Sequence, residues 1–330
     1  MTRFALFGCG RIGRMHGLNL ARHPRTELVS VFDVFAKAAE ETAAATGAKV
    51  VTSVDEAFTD DSIDAVLIAS STDTHVDLLT RTAQAGKAIL CEKPIDLDLA
   101  RVDACWAAIG GLDPLIMLGF NRRFDPSFKA LRDRIQGGEL GKLEQLLITS
   151  RDPSPPPADY IKVSGGLFRD MTIHDFDIAR YIAGDIVTVH ATGANLVDPE
   201  IKALGDFDAA MITMQAASGA LIHINNSRRA TYGYDQRIEA FGALGMLQAG
   251  NQCATSIRFS GQGVTDAQDP ALDFFIERYT AAYLAEIDHF VDCVEQQTKP
   301  IAGFAEGREA LRLADAAFES VRTGQTVRLD

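Results

Sequence analysis

The sequence contains no run of about 18 consecutive apolar residues, the length that a membrane-spanning helix needs, so we expect no membrane span. It is also poor in basic residues, with 32 Lys and Arg against 45 Asp and Glu and a formal net charge of −13. This acidic balance argues against a general nucleic-acid binder and against attachment to anionic membrane surfaces. The N-terminal apolar run soon meets Gly and Arg, and is too short for the core of a signal peptide.

Cysteine is scarce, and the few cysteines form no recognisable motif. They are scattered, odd in number and without any CxxC spacing: Cys9, Cys91, Cys105, Cys253 and Cys293. These features argue against a disulfide framework and against a zinc site. We therefore expect reduced thiols in a cytoplasmic protein, with no bound metal.

A glycine-rich turn stands near the N-terminus. The segment FALFGCGRIG predicts a buried strand that breaks into a turn and then a helix, and the next predicted strand, ELVSVFD, ends on an acid. Such glycines allow a tight bend, a close approach of the backbone to a pyrophosphate, and close packing of helix on strand. The acid can hydrogen-bond the adenosine ribose and would repel a phosphate there, so NAD is favoured over NADP. The residues concerned are Gly8, Gly10, Arg11, Ile12, Gly13 and Asp33.

Predicted strands and helices alternate up to about residue 120, which is typical of a doubly wound parallel sheet of the Rossmann type. Ligands of such sheets bind beyond the carboxyl ends of the strands. Polar residues follow three of the predicted strands and are candidates for cofactor binding: Ser70, Ser71, Thr72, His75, Glu92, Lys93 and Arg122. His75 either faces the cofactor or only caps its helix.

The alternation then stops, and the 330 residues suit two domains better than one core. We predict an NAD-binding domain over residues 1–120 and a substrate-binding and oligomerisation domain over residues 121–330. The second should be an α+β domain with an open, mostly antiparallel sheet, because several strand patterns follow one another with turn signals between them. A cleft between the domains should hold the substrate.

The segment FRDMTIHDFDIARYIAG, residues 168–184, predicts one helix that ends at Gly184. On a continuous helix, Asp170 and His174 would share one face. The preceding segment, PSPPPADYIKVSGG, is predicted to be a loop. The two side chains are either a structural feature, as a solvated surface pair or a satisfied core histidine, or part of a catalytic group.

A nicotinamide-dependent dehydrogenase that acts on an alcohol needs a base for the hydroxyl proton and positive charge near the developing alkoxide. His174 is suited to be the base, because imidazole titrates near neutral pH. Asp170 could fix its tautomer or pass the proton on. Lys93, which follows an apolar strand and precedes a proline, could stabilise the alkoxide and hold the ribose on the carboxamide side.

The whole chain resembles the Gfo/Idh/MocA oxidoreductase family. The resemblance rests on the GCGRIG turn, on the segment Glu92-Lys93-Pro94, and on the segment from Gly165 to Asp175 that contains Asp170 and His174. Within the family, CEKPID, GFNRRFD, SRDPSPPPADYIK and NSRRATYGYDQR are similar to segments of bacterial inositol dehydrogenases. One departure is Ser71, where many relatives carry proline.

The resemblance implies a function and an assembly. It implies Lys93, Asp170 and His174 as the catalytic group, with His174 as general base. It implies NAD as cofactor, oxidation of a ring hydroxyl of myo-inositol to a ketone, and a homotetramer formed through sheet faces. The stereochemistry stays open, so scyllo-inositol, chiro-inositol and the anomeric hydroxyl of an aldose are alternatives. A non-catalytic NAD-binding sensor is the alternative of another class.

A neutral polyol needs many hydrogen-bonding partners, and the candidates are Lys93, Arg122, Arg151, Tyr160, Asp170, His174 and Tyr234. Each has a structural alternative: Arg122 and Arg123 could pair with Asp125, Tyr160 could only pack a loop, and Tyr234 could sit on a sheet edge. Arginines also keep open a substrate with a carboxylate, because the guanidinium fork matches that group.

Overall fold

The computed structural model describes residues 1–329, which form two compact units. The first contains Met1–Asn121 and Tyr283–Leu311. The second contains Arg122–Ala282 and the described residues from Arg312 onwards. The first unit therefore includes a C-terminal segment that the predicted boundary near residue 120 assigns to the second domain.

Within residues 1–329 the strands are β1 (Thr2–Phe7), β2 (Thr26–Phe32), β3 (Lys49–Val50), β4 (Ala65–Ile68), β5 (Ala88–Cys91), β6 (Ile116–Leu118), β7 (Leu143–Arg151), β8 (Ile186–Ala194), β9 (Ala209–Ala216), β10 (Leu221–Ser227), β11 (Asp235–Gly242), β12 (Gly245–Ala249), β13 (Arg258–Gly261), β14 (Val264–Gln268) and β15 (Val327–Arg328). The helices are α1 (Arg11–Arg22), α2 (Ala36–Thr46), α3 (Val54–Phe58), α4 (His75–Gln84), α5 (Leu99–Ile109), α6 (Pro126–Gln136), α7 (Ala158–Ser164), α8 (Gly166–Asp170), α9 (Ile173–Ala183), α10 (Pro199–Ala203), α11 (Phe275–Arg278), α12 (Thr280–Gln296) and α13 (Phe304–Thr323). Among these described helices, none is long and apolar enough to cross a membrane.

The first unit contains a six-stranded parallel sheet in the order β3-β2-β1-β4-β5-β6, counted over the described residues. Strand β4 is buried along its whole length, because helices cover both faces of a doubly wound sheet and its residues are apolar throughout. The strand order reverses beside β1, and the glycine turn follows this strand. The predicted Rossmann-type sheet is therefore confirmed.

Helix α12 packs within the first unit. The ring of Phe290 lies 5.8 Å from that of Phe4 on β1, measured between centroids. Arg25 donates from Nη2 to Asp292 at 2.7 Å and to Glu295 at 2.7 Å. Local sequence patterns could not predict this return of the chain, because it depends on contacts between residues more than 250 positions apart.

The second unit contains a seven-stranded sheet in the order β12-β11-β7-β10-β9-β8-β15, again counted over residues 1–329. Strands β7 and β10 are parallel, and the other neighbouring pairs are antiparallel. This confirms the predicted open, mostly antiparallel sheet. Alternate residues of β9 are buried and exposed, so one face carries the core and the other forms an outer face. Large apolar side chains of the outer face are Leu147, Met211, Leu221, Phe241 and Met246.

The prediction of one continuous helix over residues 168–184 is wrong in its middle. Helix α8 ends at Asp170 and α9 begins at Ile173. The amides of Met171 and Thr172 both donate to the carbonyl of Leu167, and the hydroxyl of Thr172 donates to Asn226 Oδ1 at 2.7 Å. The Thr172 amide thus bonds to a carbonyl five residues back instead of four, and the regular helical pattern is interrupted there. The predicted end at Gly184 is confirmed, since Gly184 caps α9 with a φ of +83°.

The segment predicted to be a loop contains helix α7. Its prolines do not prevent this, because Pro157 precedes the first helical residue, where a missing N–H costs nothing. Gly165 then ends the helix with a φ of +84°, a conformation that glycine adopts readily.

We expect Gly13→Ala to destabilise the protein. A Cβ at Gly13 would lie 1.8 Å from the carbonyl oxygen of Gly8, so β1 and α1 would have to separate, at a cost of about 1–3 kcal/mol. Gly10→Ala is the matched control, because in the described chain no atom lies within 4 Å of a Cβ built there. Thermal unfolding without cofactor should show a clear fall in Tm for Gly13→Ala and a much smaller one for Gly10→Ala. Equal Tm values would contradict this account of the turn.

Candidate active site

The glycine turn of the first unit has the geometry of a phosphate site. Gly8 has a φ of +93°, and a Cβ there would lie 2.4 Å from the amide nitrogen of Ser70. Among residues 1–329, no side chain caps the N-terminus of α1, which begins at Arg11 after Gly10. The first amides of this helix are therefore available to an anion, and the space beside Gly10 allows it to approach.

Asp33 is held against this turn at the end of β2. Its Oδ2 accepts a hydrogen bond from the Cys9 amide at 2.6 Å, and its Oδ1 accepts one from the Phe35 amide at 2.8 Å. Each carboxylate oxygen can accept a further bond, for example from a ribose hydroxyl. The exposed side chains of Val34 and Phe35 follow directly. The turn and the acid together fit the pyrophosphate and the adenosine ribose of NAD.

His75 is buried and contacts both the loop that follows β4 and the loop that follows β5. Its Nδ1 lies 2.8 Å from the carbonyl oxygen of Pro94, and its Nε2 lies 3.1 Å from that of Ser70. The ring is buried, and this burial lowers the pKa of His75. A neutral imidazole has one N–H, so it donates to one of these carbonyl oxygens and lies against the other. The side chain thus supports the two loops from the core.

The neighbouring hydroxyls of the loop after β4 are also tied together. Ser70 Oγ and Thr74 Oγ1 are 2.7 Å apart, and the Thr74 hydroxyl donates to the carbonyl of Ser71 at 2.7 Å. Ser71 precedes a short 3-10 turn that begins at Thr72. The loop therefore has a defined shape although Ser71 replaces a common proline.

Lys93 follows β5 and is joined to Pro94 by a cis peptide bond. The preceding residue, Glu92, accepts a hydrogen bond on Oε1 from His16 Nε2 at 2.8 Å. A Cβ on Gly119 would lie 2.9 Å from the other oxygen of Glu92, so this side chain is confined on two sides. Lys93 itself is half-buried.

In the second unit, Asp170 and His174 lie on either side of the break between α8 and α9, which we call the α8–α9 corner. Tyr160 donates its hydroxyl to Asp170 Oδ1 at 2.8 Å. Arg228, which is buried, places Nη1 3.6 Å from Asp170 Oδ2. Desolvation and the Asp170 carboxylate raise the pKa of Tyr160, which keeps its hydroxyl a donor. His174 is half-buried in the first turn of α9.

A buried carboxylate network stands beside His174. Asp175 is fully buried and accepts hydrogen bonds from Arg122 Nη1, from the Ser150 hydroxyl at 2.6 Å and from Asn226 Nδ2 at 2.8 Å. The alternative in which Arg122 pairs with Asp125 is therefore wrong.

The same alternative is wrong for Arg123. This residue forms a two-pronged pair with Asp177, at 2.8 and 2.6 Å. Asp125 instead accepts bonds from the Ser127 and Phe128 amides at the start of α6, and it also pairs with Arg278.

The remaining two substrate candidates have different surroundings. Tyr234 is buried beside Tyr279, with ring centroids 6.0 Å apart, and burial raises its pKa well above the ordinary value. Arg151 lies on the outer face of the sheet, where it donates to Asn225 at 3.1 Å and to Tyr232 at 2.8 Å. Its neighbour Ser150 points to the buried face, because successive strand residues alternate. The structure therefore separates Arg151 from the α8–α9 corner.

Three residues near the corner were missed by the sequence analysis: Asp152, Asp175 and Arg228. Asp152 directly follows β7, and Arg228 directly follows β10. These two strands run in parallel, so polar residues after both ends could have been noticed as neighbours. The sequence analysis includes Asp175 only as the last residue of the family-like segment and predicts no role for it.

The carboxyl group of Asp152 has an unusually high pKa. Burial raises its pKa to about 7, the charges of Asp170 and Asp175 act in the same direction, and Arg228 and Arg122 oppose them. The pKa of Asp152 in the folded protein lies above its value in the unfolded chain. The contribution of Asp152 to the free energy of unfolding is therefore fully present only below the unfolded pKa of about 3.9, and it is lost as pH rises towards 7.

Asp152→Asn should remove this loss of stability. We expect the variant to gain Tm relative to the unmodified protein by a few degrees between about pH 4 and about pH 7, with no further gain at higher pH. Thermal unfolding over this pH range measures the difference. Asp159→Asn, at an exposed acid nearby, is the control and should show no such gain. A constant difference at all pH values would show that Asp152 has an ordinary pKa.

Comparison with known proteins connects both units to characterised relatives. Residues 2–120 match the family described as "Oxidoreductase family, NAD-binding Rossmann fold", and residues 128–248 match the "GFO/IDH/MocA C-terminal domain". The chain is 50% identical over 322 residues to an inositol 2-dehydrogenase of Rhizobium meliloti, covering 97% of each chain.

Two solved structures with a similar fold are also inositol dehydrogenases. A myo-inositol dehydrogenase of Corynebacterium glutamicum superposes with a TM-score of 0.97 at 50% identity, covering 100% of this chain and 99% of that chain. A scyllo-inositol dehydrogenase of Lactobacillus casei, solved with NAD(H) and scyllo-inositol, superposes with a TM-score of 0.91 at 26% identity, covering 99% of each chain.

Proposed function

The chain belongs to the Gfo/Idh/MocA oxidoreductase family, and we propose that it is an NAD-dependent inositol 2-dehydrogenase. The reaction would convert a ring hydroxyl of myo-inositol into a ketone and give scyllo-inosose, also called 2-keto-myo-inositol. One observation carries the proposal: the polar α8–α9 corner occurs in a chain that is 50% identical, over nearly its whole length, to an inositol 2-dehydrogenase.

The first unit would hold the cofactor. The amides of the glycine turn and of α1 would bind the pyrophosphate, and Asp33 would accept hydrogen bonds from the adenosine ribose. When bound, NAD supplies the acceptor for the hydride. Glu92 and His75 would act indirectly, because they fix the loops that carry Lys93 and Ser70.

The protein itself would move the proton and stabilise the developing charge. An imidazole nitrogen of His174 would take the hydroxyl proton as general base. Asp170, whose carboxylate is held by the hydrogen bond from the Tyr160 hydroxyl, would orient the substrate and fix the tautomer of His174. The ammonium group of Lys93 would stabilise the alkoxide as the proton leaves.

The charges of the second unit favour a neutral polyol over a substrate with a carboxylate. Arg122 is buried against Asp175, and Arg228 faces Asp170 and Asp206. Arg151 lies on the outer face. These guanidinium groups already face carboxylates or other polar groups, whereas the hydroxyl of Tyr160 and the carboxylate of Asp170 suit ring hydroxyls.

Substrates of similar shape are the second candidates. The Lactobacillus casei relative with bound scyllo-inositol supports scyllo-inositol as an alternative substrate. chiro-Inositol and an aldose differ from these rings by the arrangement of single groups. A non-catalytic NAD sensor would need no base, so the acid and imidazole at the α8–α9 corner argue for the enzyme.

The assembly and location are further parts of the proposal. We expect a homotetramer, because the outer face of the second sheet exposes large apolar side chains such as Met211 at 51% and Leu221 at 57%. We place the enzyme in the cytoplasm, where the five free thiols would stay reduced.

The experiment that tests the proposal follows NADH formation with a panel of substrates. We expect rapid reduction of NAD with myo-inositol, slower reduction with scyllo- and chiro-inositol and with glucose, and poor use of NADP because of Asp33. A faster reaction with a sugar would move the assignment to an aldose dehydrogenase. Binding of NAD without any turnover would favour the sensor.

Lys93→Met and His174→Gln should each lower kcat by roughly 10²–10⁴-fold, because each removes a charge-stabilising or proton-accepting group while keeping its approximate volume. Steady-state kinetics with myo-inositol measure the loss, and a calorimetric NAD titration checks that the cofactor still binds. Lys142→Met, at an exposed lysine, is the matched control and should keep normal kcat. Near-normal turnover in either variant would remove that residue from the catalytic group.

A further inference from the structure

Asn226 on β10 carries a buried amide group that the proposed reaction does not use. Its side-chain oxygen accepts a hydrogen bond from the Thr172 hydroxyl at 2.7 Å. Its side-chain nitrogen donates to Asp175 Oδ2 at 2.8 Å and, over a longer distance of 3.4 Å, to the carbonyl oxygen of Ser150 on β7. The amide is thus bound to two residues that flank His174 in the chain, and it is also fixed to the sheet.

These bonds close a ring at the first turn of α9. The Asp175 amide donates to the Thr172 carbonyl at 2.8 Å, so the two residues are joined through the backbone as well as through Asn226. His174 lies between them, and its side chain leaves the same turn. The side-chain amide holds one donor and one acceptor in a fixed plane. A shift of this turn relative to β10 would therefore break at least one of the bonds.

The Thr172 hydroxyl has an unusual use for its place in the chain. A threonine directly before the first residue of a helix commonly accepts a hydrogen bond from an amide of the first turn. Within residues 1–329, no side chain caps α9 in this way, and the Thr172 hydroxyl donates to Asn226 instead. Its distance to the carbonyl oxygen of Leu167 is longer, at 3.3 Å. The start of α9 is therefore anchored to a strand rather than capped by its own threonine.

We propose that Asn226 is a positioning residue for His174, and that it acts through its hydrogen bonds with Thr172 and Asp175. A general base must reach the substrate hydroxyl at hydrogen-bond distance, so the imidazole works only from a narrow range of positions. Asn226 restricts the imidazole to that range, because it fixes the first turn of α9 against β10. This inference rests on the proposed function, because it takes His174 to be the base.

Thr172→Val removes one bond of the ring and keeps the shape of the side chain. We expect kcat with myo-inositol to fall about tenfold and the KM for NAD to stay within about twofold, because a displaced base slows the chemistry without changing the glycine turn. Thr172→Ser keeps the hydroxyl and should keep kcat within about twofold of normal. Thr82→Val is the matched control and should keep normal kcat, because this buried threonine donates only within α4, to the Leu78 carbonyl at 2.6 Å.

Asn226→Leu removes both bonds to the turn at similar volume, and it should lower kcat at least as much as Thr172→Val does. The two losses should not multiply in the double variant, because both substitutions break the same ring. In a His174→Gln background, Thr172→Val should lower kcat by less than about twofold further, since positioning has no effect without the base. A further loss of about tenfold in that background would show that the ring acts on another group, and the inference would be overturned.

Nuclear magnetic resonance of protein labelled at histidine tests the positioning without turnover. The ring signals of His174 are assigned by their absence in His174→Gln. We expect them to shift in Thr172→Val and in Asn226→Leu, and to stay in place in Thr172→Ser and Thr82→Val. Unchanged ring signals in the first two variants would overturn the inference. A purely structural role would lower the Tm of Asn226→Leu but would leave kcat and the ring signals of the folded variant normal.

Failure of the proposed function has a different signature. It would appear as normal turnover in His174→Gln, or as no turnover of the unmodified protein with any substrate of the panel. In both cases the ring signals would still decide whether Asn226 positions the imidazole of His174.

Discussion

The architecture of the α8–α9 corner depends on one buried carboxylate, that of Asp175. It has no contact with solvent, and its charge is tolerated because a guanidinium, a hydroxyl and an amide donate to it. These donors come from the turn after β6, from β7 and from β10, so one ion fixes three segments of the second unit. His174 is the preceding residue in α9, and its backbone position follows from this network. The network is therefore the physical reason that an imidazole is presented at the helix start.

The first unit depends on a steric constraint of a different kind. Gly8 and Gly13 approach so closely that a single Cβ at position 13 would overlap the carbonyl of Gly8. That contact brings the first turn of α1 to the end of β1, where its amides can face a phosphate. The carboxylate of Asp33 accepts a hydrogen bond from the Cys9 amide and so ties the end of β2 to this turn. The fit to a dinucleotide thus follows from small residues and one acid, and it needs no large binding side chain.

Many of these structural elements could be predicted from the sequence, because they depend on local sequence patterns. Strand β4 is a short apolar run, α6 begins at a proline after an aspartate, and the glycine turn has a fixed spacing. The break between α8 and α9 could not be predicted, because Thr172, the residue at the break, is held by a partner 54 residues away, Asn226. The sequence also could not predict which face of the sheet carries Arg151, since a shift of one residue along β7 moves a side chain to the other face. The partners of Arg122 likewise follow from tertiary packing.

Both units limit negative charge by the same physical means, and this has a chemical consequence for an acidic chain. Oxidation of a hydroxyl develops an alkoxide, which neighbouring carboxylates would repel. In the second unit, burial raises the pKa of Asp152 to about 7, so it is partly neutral near physiological pH. In the first unit, burial raises the pKa of Glu286 on α12 well above its usual range, and the negative charge of Glu92 acts in the same direction. Desolvation therefore lets a protein with a net charge of −13 place acids near the proposed reaction without surrounding it by anions.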